Sequence, residues 1–198
     1  MDYAVLLSFD SASDQRIRQM IQGLAVASGN ETYLLSGLRP HLTLAEFDTD
    51  RHETVRQTLA DLAEKILRPI PVKLASAGFF PDNQSVLYLA PIVDELLLDL
   101  HRMVNNALEP LCTAFSPLYR EENWVPHCTL ALELDTDTFA GSCRKLSELF
   151  TPLNTLAVQL SLIACCPFCE QALFPLGSRL TVPEDPDDLP AFAHSEQD

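Results

Sequence analysis

The strongest constraint on this chain is a phrase that it contains twice, "PHLTLAEFDTD" at residues 40–50 and "PHCTLALELDTD" at residues 126–137, which places His127 86 residues after His41. Two copies so far apart are too few and too long for a solenoid of short repeats, so they point to duplication of a whole folding unit. The flanking periodicities agree. Ala4 to Phe9 reads as a buried strand, and Ile17, Met20, Ile21 and Leu24 recur at helical spacing after a Ser13/Asp14 cap signal. "HLTLAEF" reads as a strand, and Val55, Leu59, Leu62 and Ile66 mark a helix that Pro69 stops. "PVKLASAGFF" and "SVLYLAPI" flank the turn residues "PDNQ" as a strand pair. The order then returns: a helix over Leu97, Leu100, Val104, Ala107 and Leu111, the strand "HCTLALEL", a helix over Phe139, Cys143, Leu146 and Phe150, and the pair "NTLAVQLSLIACC" and "QALFPL". Pro81 and Pro167, at the starts of the two hairpin turns, repeat the 86-residue interval. The expectation is an α+β fold of two pseudo-symmetric lobes, each built as strand, helix, His-Thr strand, helix, strand.

Residues i and i+2 of a strand point to the same side, so His41 and Thr43 should face one way and Leu42 and Leu44 the other. His127 and Thr129 stand in the same relation to Cys128 and Leu130. If the lobes pack about a pseudo-two-fold axis with these strands near the seam, two imidazoles and two hydroxyls converge in one cleft. Such a set suits phosphodiester chemistry. A neutral His takes a proton from the attacking water or hydroxyl, the other, as imidazolium, protonates the leaving oxygen, and a pKa of about 6.5 allows both near neutrality. The Thr hydroxyls can donate to non-bridging phosphate oxygens, and no metal is required. A single strand His is more often structural, but duplication explains only common origin, not why these polar positions kept their identity while Leu42 became Cys128.

Charge limits the partners. The net charge of −15 repels polyphosphate, so long nucleic acid held along its backbone is not expected. Residues 183–198 carry six acidic residues and no Lys or Arg; they read as a flexible Pro-rich tail beyond a single two-lobed domain at residues 1–182. The N-terminus has no basic leader, its apolar run is broken at Ser8 and Asp10, and no stretch nears ~18 apolar residues, so a cytoplasmic protein without a membrane segment is expected. Six Cys without an export signal read as reduced thiols.

The paired motifs resemble those of the two-histidine (2H) phosphoesterases, and most closely bacterial proteins of the 2′-5′ RNA ligase family. The resemblance extends over most of residues 1–176, through "FFPDNQSVLYLAPIVDELLLDLH" and "YREENWVPHCTLALEL". It implies antiparallel sheets forming a central cleft with helices outside, and metal-free action on 2′,3′-cyclic or related cyclic phosphates or on 2′-5′ linkages. It also implies His41 and His127 as the acid–base pair and Thr43 and Thr129 as phosphate binders, with no cofactor. Better-known RNA-end members usually carry a basic residue soon after the second motif, where "TLALELDTD" offers only acids. The preference moves toward a small cyclic nucleotide or other cyclic phosphate over an RNA end, bound by a monomer.

Weaker candidates for substrate contact surround the motifs. Arg39 precedes His41 by two residues, and Tyr119 and Arg120 lie where a lid would sit. Trp124 could stack on a base or pack between lobes, and of Phe79 and Phe80 one is expected to line the cleft and the other the core. "CCPFC" at residues 165–169 has a C-x-x-C spacing but no second ligand pair, so it reads as a turn with free thiols. The two Asp-Thr-Asp runs read as helix N-caps, and His52, His101 and His194 as surface or packing residues. A non-catalytic nucleotide-binding module and a thiol or metal protein are the other readings.

Overall fold

The computed structural model describes residues 1–80, 85–165 and 168–177. The expected turn "PDNQ", Cys166, Pro167, His194 and the acidic segment 183–198 lie outside the described residues. The strands are β1 (Tyr3–Phe9), β2 (His41–Asp48), β3 (Ile70–Phe80), β4 (Val86–Pro91), β5 (Ala114–Phe115), β6 (Cys128–Ala131), β7 (Leu153–Cys165) and β8 (Phe168–Pro175). The helices are α1 (Ser11–Ser28), the short α2 (Thr32–Leu35), α3 (His52–Lys65), α4 (Glu95–Leu108) and α5 (Thr136–Leu149). Among the described residues none is a helix long and apolar enough to cross a membrane.

All strands pair antiparallel in the order β5-β2-β1-β7-β3-β4-β6, with β8 also on β7. The two halves of the sheet meet where Ile70–Leu74 of β3 pairs with Leu153–Ala157 of β7. Beyond that seam β7 pairs with β1 and β3 pairs with β4, so β1 α1 β2 α3 β3 and β4 α4 β6 α5 β7 are the two copies of the unit. The two hairpins, expected to match, do not. Ala157 pairs with both Phe9 and Ile70, which puts β1 and β3 on opposite edges of β7; Gln159 pairs with both Ser8 and Pro175, which puts β8 on the β3 edge. β4 is therefore the twin of β1, and β8 is an addition without one.

Alternation along β1 separates the two faces of the sheet. Val5, Leu7 and Phe9 are fully buried in one continuous core with Ile17 and Leu24 of α1, Leu59 of α3, and Leu97 and Val104 of α4. Each such side chain contributes about 1.5–3 kcal/mol by leaving water, which is what holds the helices on this face. Ala4, Leu6 and Ser8 point to the opposite face, where Ala4 and Leu6 join a smaller cluster with Ile163, Leu38 and Cys165. That second face carries the site.

The helix starts depart from expectation. α1 begins a turn earlier than Ser13/Asp14, because Asp10 caps it by accepting from the Ser13 N–H (3.0 Å) and the Ser13 hydroxyl (2.7 Å). Asp135 caps α5 as expected, accepting from the Thr138 N–H at 2.7 Å. In the first copy, α3 has no side-chain cap, and Asp48 instead accepts from the Asp2 N–H at 2.7 Å.

Candidate active site

Both motif strands break their alternation at the same place. Leu6 pairs with Thr43 and Val5 with Ala45, so Leu44 is an extra residue; Tyr88 pairs with Thr129 and Leu87 with Ala131, so Leu130 is its twin. A β-bulge points two successive residues the same way, and Leu44, Ala45, Leu130 and Ala131 are all buried in the core. This is the structural reason for the repeated Thr-Leu-Ala. Each bulge ends the His-Thr pair with a leucine anchor, and it returns the residue after Ala45 to the open face.

The two imidazoles are held in the same manner. His41 Nδ1 lies 2.6 Å from the Arg39 carbonyl oxygen and His127 Nδ1 lies 2.8 Å from the Val125 carbonyl oxygen, in each case two residues back along the chain. A carbonyl only accepts, so each neutral ring carries its proton on Nδ1 and leaves Nε2 with a lone pair. Burial pushes the His41 imidazole below its ordinary value; the Arg39 carbonyl opposes this, and the charge of His127 adds to it. Burial also lowers His127, against the opposing pull of the Val125 carbonyl and the Glu46 charge. Cys128, next to His127 but turned to the core, is fully buried, and burial above all pushes its thiol up to about 12.

The surroundings of the two histidines differ. Phe80 packs edge-on against His127 with ring centroids 4.9 Å apart, and Tyr88 lies 5.4 Å from the same ring and 4.5 Å from Phe80. Gly78 makes room for this pair, because a Cβ there would stand 2.7 Å from the Tyr88 ring. In the other half the equivalent register is Leu6 and Ser161, beside a cavity of about 140 Å³ that Ser8, Ser36, Arg39 and Phe168 also line. Phe80 is thus the phenylalanine beside His127, whereas Phe79 is half exposed against the edge of Phe139 and is not core.

The segment before β6 is pinned. The Ser116 N–H donates to the Glu46 carbonyl (2.9 Å), His101 Nε2 donates to the Tyr119 carbonyl (2.9 Å), and the Tyr119 hydroxyl donates to Glu46 Oε1 (3.1 Å). A lid at Tyr119 and Arg120 is therefore replaced by a brace. Arg120 is directed to Glu109 (2.6 Å) and over the Phe115 ring. Trp124 stacks one face on His101 at 3.9 Å and donates its indole N–H to the Thr43 carbonyl at 3.0 Å, so it supports β2 from behind. His101, expected among surface or packing residues, is fully buried. Arg39 stays beside His41 but is paired with Asp14 at 3.2 Å. In the β7–β8 hairpin Cys169 pairs with Ala164 and Cys165 with Phe168, so Cys165 and Cys169 point to opposite faces and do not converge on a common ligand.

Sequence reasoning missed Glu46, Tyr88 and Gly78. Strict alternation from His41 sends Glu46 to the core; the consecutive apolar pair Leu44-Ala45 inside an alternating strand was the available sign of a bulge. Tyr88 and Gly78 lie on strands without a motif, and only the register brings them to Thr129 and His127.

A model of the 2′-5′ RNA ligase superfamily matches residues 9–164. The fold is similar to that of E. coli LigT complexed with 3′-AMP, with a TM-score of 0.56 at 16% identity over 88% of this chain and 97% of that one. It is also similar to a crystal structure of a phosphoesterase (TM-score 0.55, 17% identity, 88% and 97% covered). E. coli LigT complexed with NADP+ gives a TM-score of 0.53 at 15% identity, with 89% and 98% covered. No curated protein matches the chain in sequence.

Proposed function

Because the chain belongs to the 2′-5′ RNA ligase superfamily, we propose that it is a two-histidine phosphoesterase that opens 2′,3′-cyclic or related cyclic phosphates of nucleotides. Membership supports phosphoesterase or ligase-like activity. The observation that carries the finer reading is the matched anchoring of His41 and His127, each with Nδ1 on the carbonyl two residues back, which leaves two Nε2 atoms for proton transfer. A water oxygen attacks phosphorus while one Nε2 takes its proton. The bond from phosphorus to one ribose oxygen breaks, and the other imidazolium gives that oxygen a proton. The product is a ribose 2′- or 3′-monophosphate, and the two rings return to their starting states by exchanging protons with solvent. The Thr43 and Thr129 hydroxyls share the face of the histidines and donate to the non-bridging oxygens. Run with a ribose 5′-hydroxyl in place of water and the 3′ oxygen as the leaving group that takes the proton, the same steps give a 2′-5′ linkage.

Several features favour a nucleotide-sized substrate over an RNA end. The relatives crystallised with 3′-AMP and NADP+ hold ligands of that size. Arg39 and Arg120 are both engaged by carboxylates, and residues 130–137 bring no cation. Phe80 offers a ring beside His127 on which a base can stack. The test is a panel of 2′,3′-cyclic mononucleotides and 2′-5′ dinucleotides, with product isomers identified by phosphorus NMR. Turnover of at least one cyclic phosphate, lost in His41→Ala, is expected. Saturable binding without turnover would instead make the chain a nucleotide-binding module.

A further inference from the structure

We propose that Trp124 is a positioning residue that sets the distance between the two histidine motifs, its indole bonding the approach to β6 directly onto β2. The inference rests on the phosphoesterase reading for its catalytic meaning but not for its geometry. The strand order places β1, β7, β3 and β4 between β2 and β6, and among the described residues no ladder joins the two motif strands. Laid flat, the five interstrand spacings of about 4.8 Å would hold β2 and β6 roughly 24 Å apart. Register therefore does not bring His41 near His127. Twist bends the sheet round, but twist varies from strand to strand, so a two-histidine centre needs a contact that fixes where the bending stops.

Trp124 supplies that contact. It lies three residues before His127, and its indole N–H donates to the Thr43 carbonyl at 3.0 Å, so one side chain runs from the first motif to the doorstep of the second. The plane of the ring is fixed as well. His101 of α4, fully buried, stacks on it at 3.9 Å and 10°, and is itself anchored by donating from Nε2 to the Tyr119 carbonyl at 2.9 Å. The next carbonyl of β2, that of Leu44 at the bulge, accepts from the Asn105 amide at 3.0 Å, so α4 also grips β2 directly beside the bridge. Asn30 ties the far end of the second motif through the Leu132 and Glu133 carbonyls (3.2 and 2.9 Å), but it reaches no motif strand of the first copy. The bridge has no twin. The residue 86 positions before Trp124 is Leu38, which packs with Ala4, Leu6 and Ile163. Two strands have one separation, and a single bridge sets it. Trp124 packs against the main core, so it acts through β2 and not on the substrate.

Trp124→Phe keeps an aromatic ring for His101 and removes the N–H. Crystal structures of the wild-type and Trp124→Phe proteins read the separation directly, and the Cα distance between Thr43 and Thr129 is expected to change by about 0.5–1 Å, a displacement that costs a positioned centre roughly 10–100-fold in rate. With 2′,3′-cyclic AMP as substrate, kcat should fall by that factor while KM stays within about twofold. Leu97→Val, which loosens the packing of α4 without touching the bridge, should weaken resistance to urea but leave both the distance and kcat unchanged. An unchanged distance in Trp124→Phe, or a changed one with wild-type kcat, overturns the assignment. So does a raised KM with kcat unmoved, which would mean that the indole touches substrate. Trp124 is the only tryptophan of the chain, so the wild-type protein gives a single indole N–H signal by NMR. Slow exchange of that proton with D2O is expected, and its loss within seconds overturns the bridge even if Trp124→Phe does not fold. If 2′,3′-cyclic AMP is not turned over, the functional reading fails on that substrate, while the distance still decides the role of Trp124.

Discussion

The β2 half and the β6 half of the sheet carry the same motif with the same bulge and the same Nδ1 anchor, yet they offer their histidines different surroundings. His127 stands among the rings of Phe80 and Tyr88, whereas the matching register in the other half holds Leu6 and Ser161 on the wall of a cavity that Ser8 and Ser36 also line. The shared features are those that place a proton-transfer atom. The unshared ones concern what surrounds it. Duplication accounts for two equivalent nitrogens, and divergence around them is what can tell the two ends of a substrate apart.

The comparison breaks outright if either histidine is dispensable. His41→Ala and His127→Ala should each lower kcat/KM by roughly 10²–10⁴-fold, the range for a positioned proton-transfer group. The double replacement should cost far less than the product of the two, since residues acting as a unit are not additive. Near-normal turnover with an unchanged pH profile in either single variant would make one motif a relic.

A pair of substitutions at equivalent register positions sharpens the difference between the halves. Gly78→Ala puts a Cβ 2.7 Å from the Tyr88 ring, so the protein should lose about 1–3 kcal/mol by crowding, read from urea denaturation. Ser161→Ala, at the matching place beside Leu6, crowds nothing and removes only the buried hydroxyl that accepts from the Gln159 amide at 3.3 Å, so it should cost less, about 0.5–1 kcal/mol. Equal losses at the two positions would show that the cavity side is as tightly filled as the aromatic side.

Much of this contrast was out of reach of the sequence for a definite reason. The motifs, their spacing and nearly every helix and strand could be read because periodicity and turn residues are local signals. The positions of Glu46 and Tyr88 depend on register, which a single extra residue in each motif strand resets. Trp124 could be placed near His127 but not given a direction, because its partners His101 and Thr43 lie 23 and 81 residues away along the chain. β8 looked like the twin of β4 because both follow a turn, and only the pairing at Ala157 and Gln159 separates them.

The two halves should also differ in how they couple to pH. His41 and His127 are both held below their ordinary value by burial in the folded chain, so below about pH 6.5 the unfolded chain binds more protons than the folded one. Stability then rises with pH through this window and is lost as pH falls through about 6.5 toward the folded values. Melting temperature should decrease from pH 7.5 to 5.5, and His41→Ala should flatten that slope more than His127→Ala, because only His127 has Glu46 opposing its shift. Stability that improves on acidification would contradict the burial of both rings.

The smallest expected effect is that of a chelator. In the proposed reaction the two imidazoles make both proton transfers and the Thr43 and Thr129 hydroxyls, on the same face, donate to the phosphate oxygens, so the proposal calls for no Lewis acid. Incubation with EDTA followed by assay on the best cyclic nucleotide of the panel should leave kcat/KM within about twofold, the margin of a change too small to reflect a lost catalytic group. The comparison of halves gives this test a second use. A divalent ion bound beside one histidine would itself make the roles of His41 and His127 unequal. Turnover lost on chelation and restored by a divalent ion would therefore overturn the metal-free mechanism.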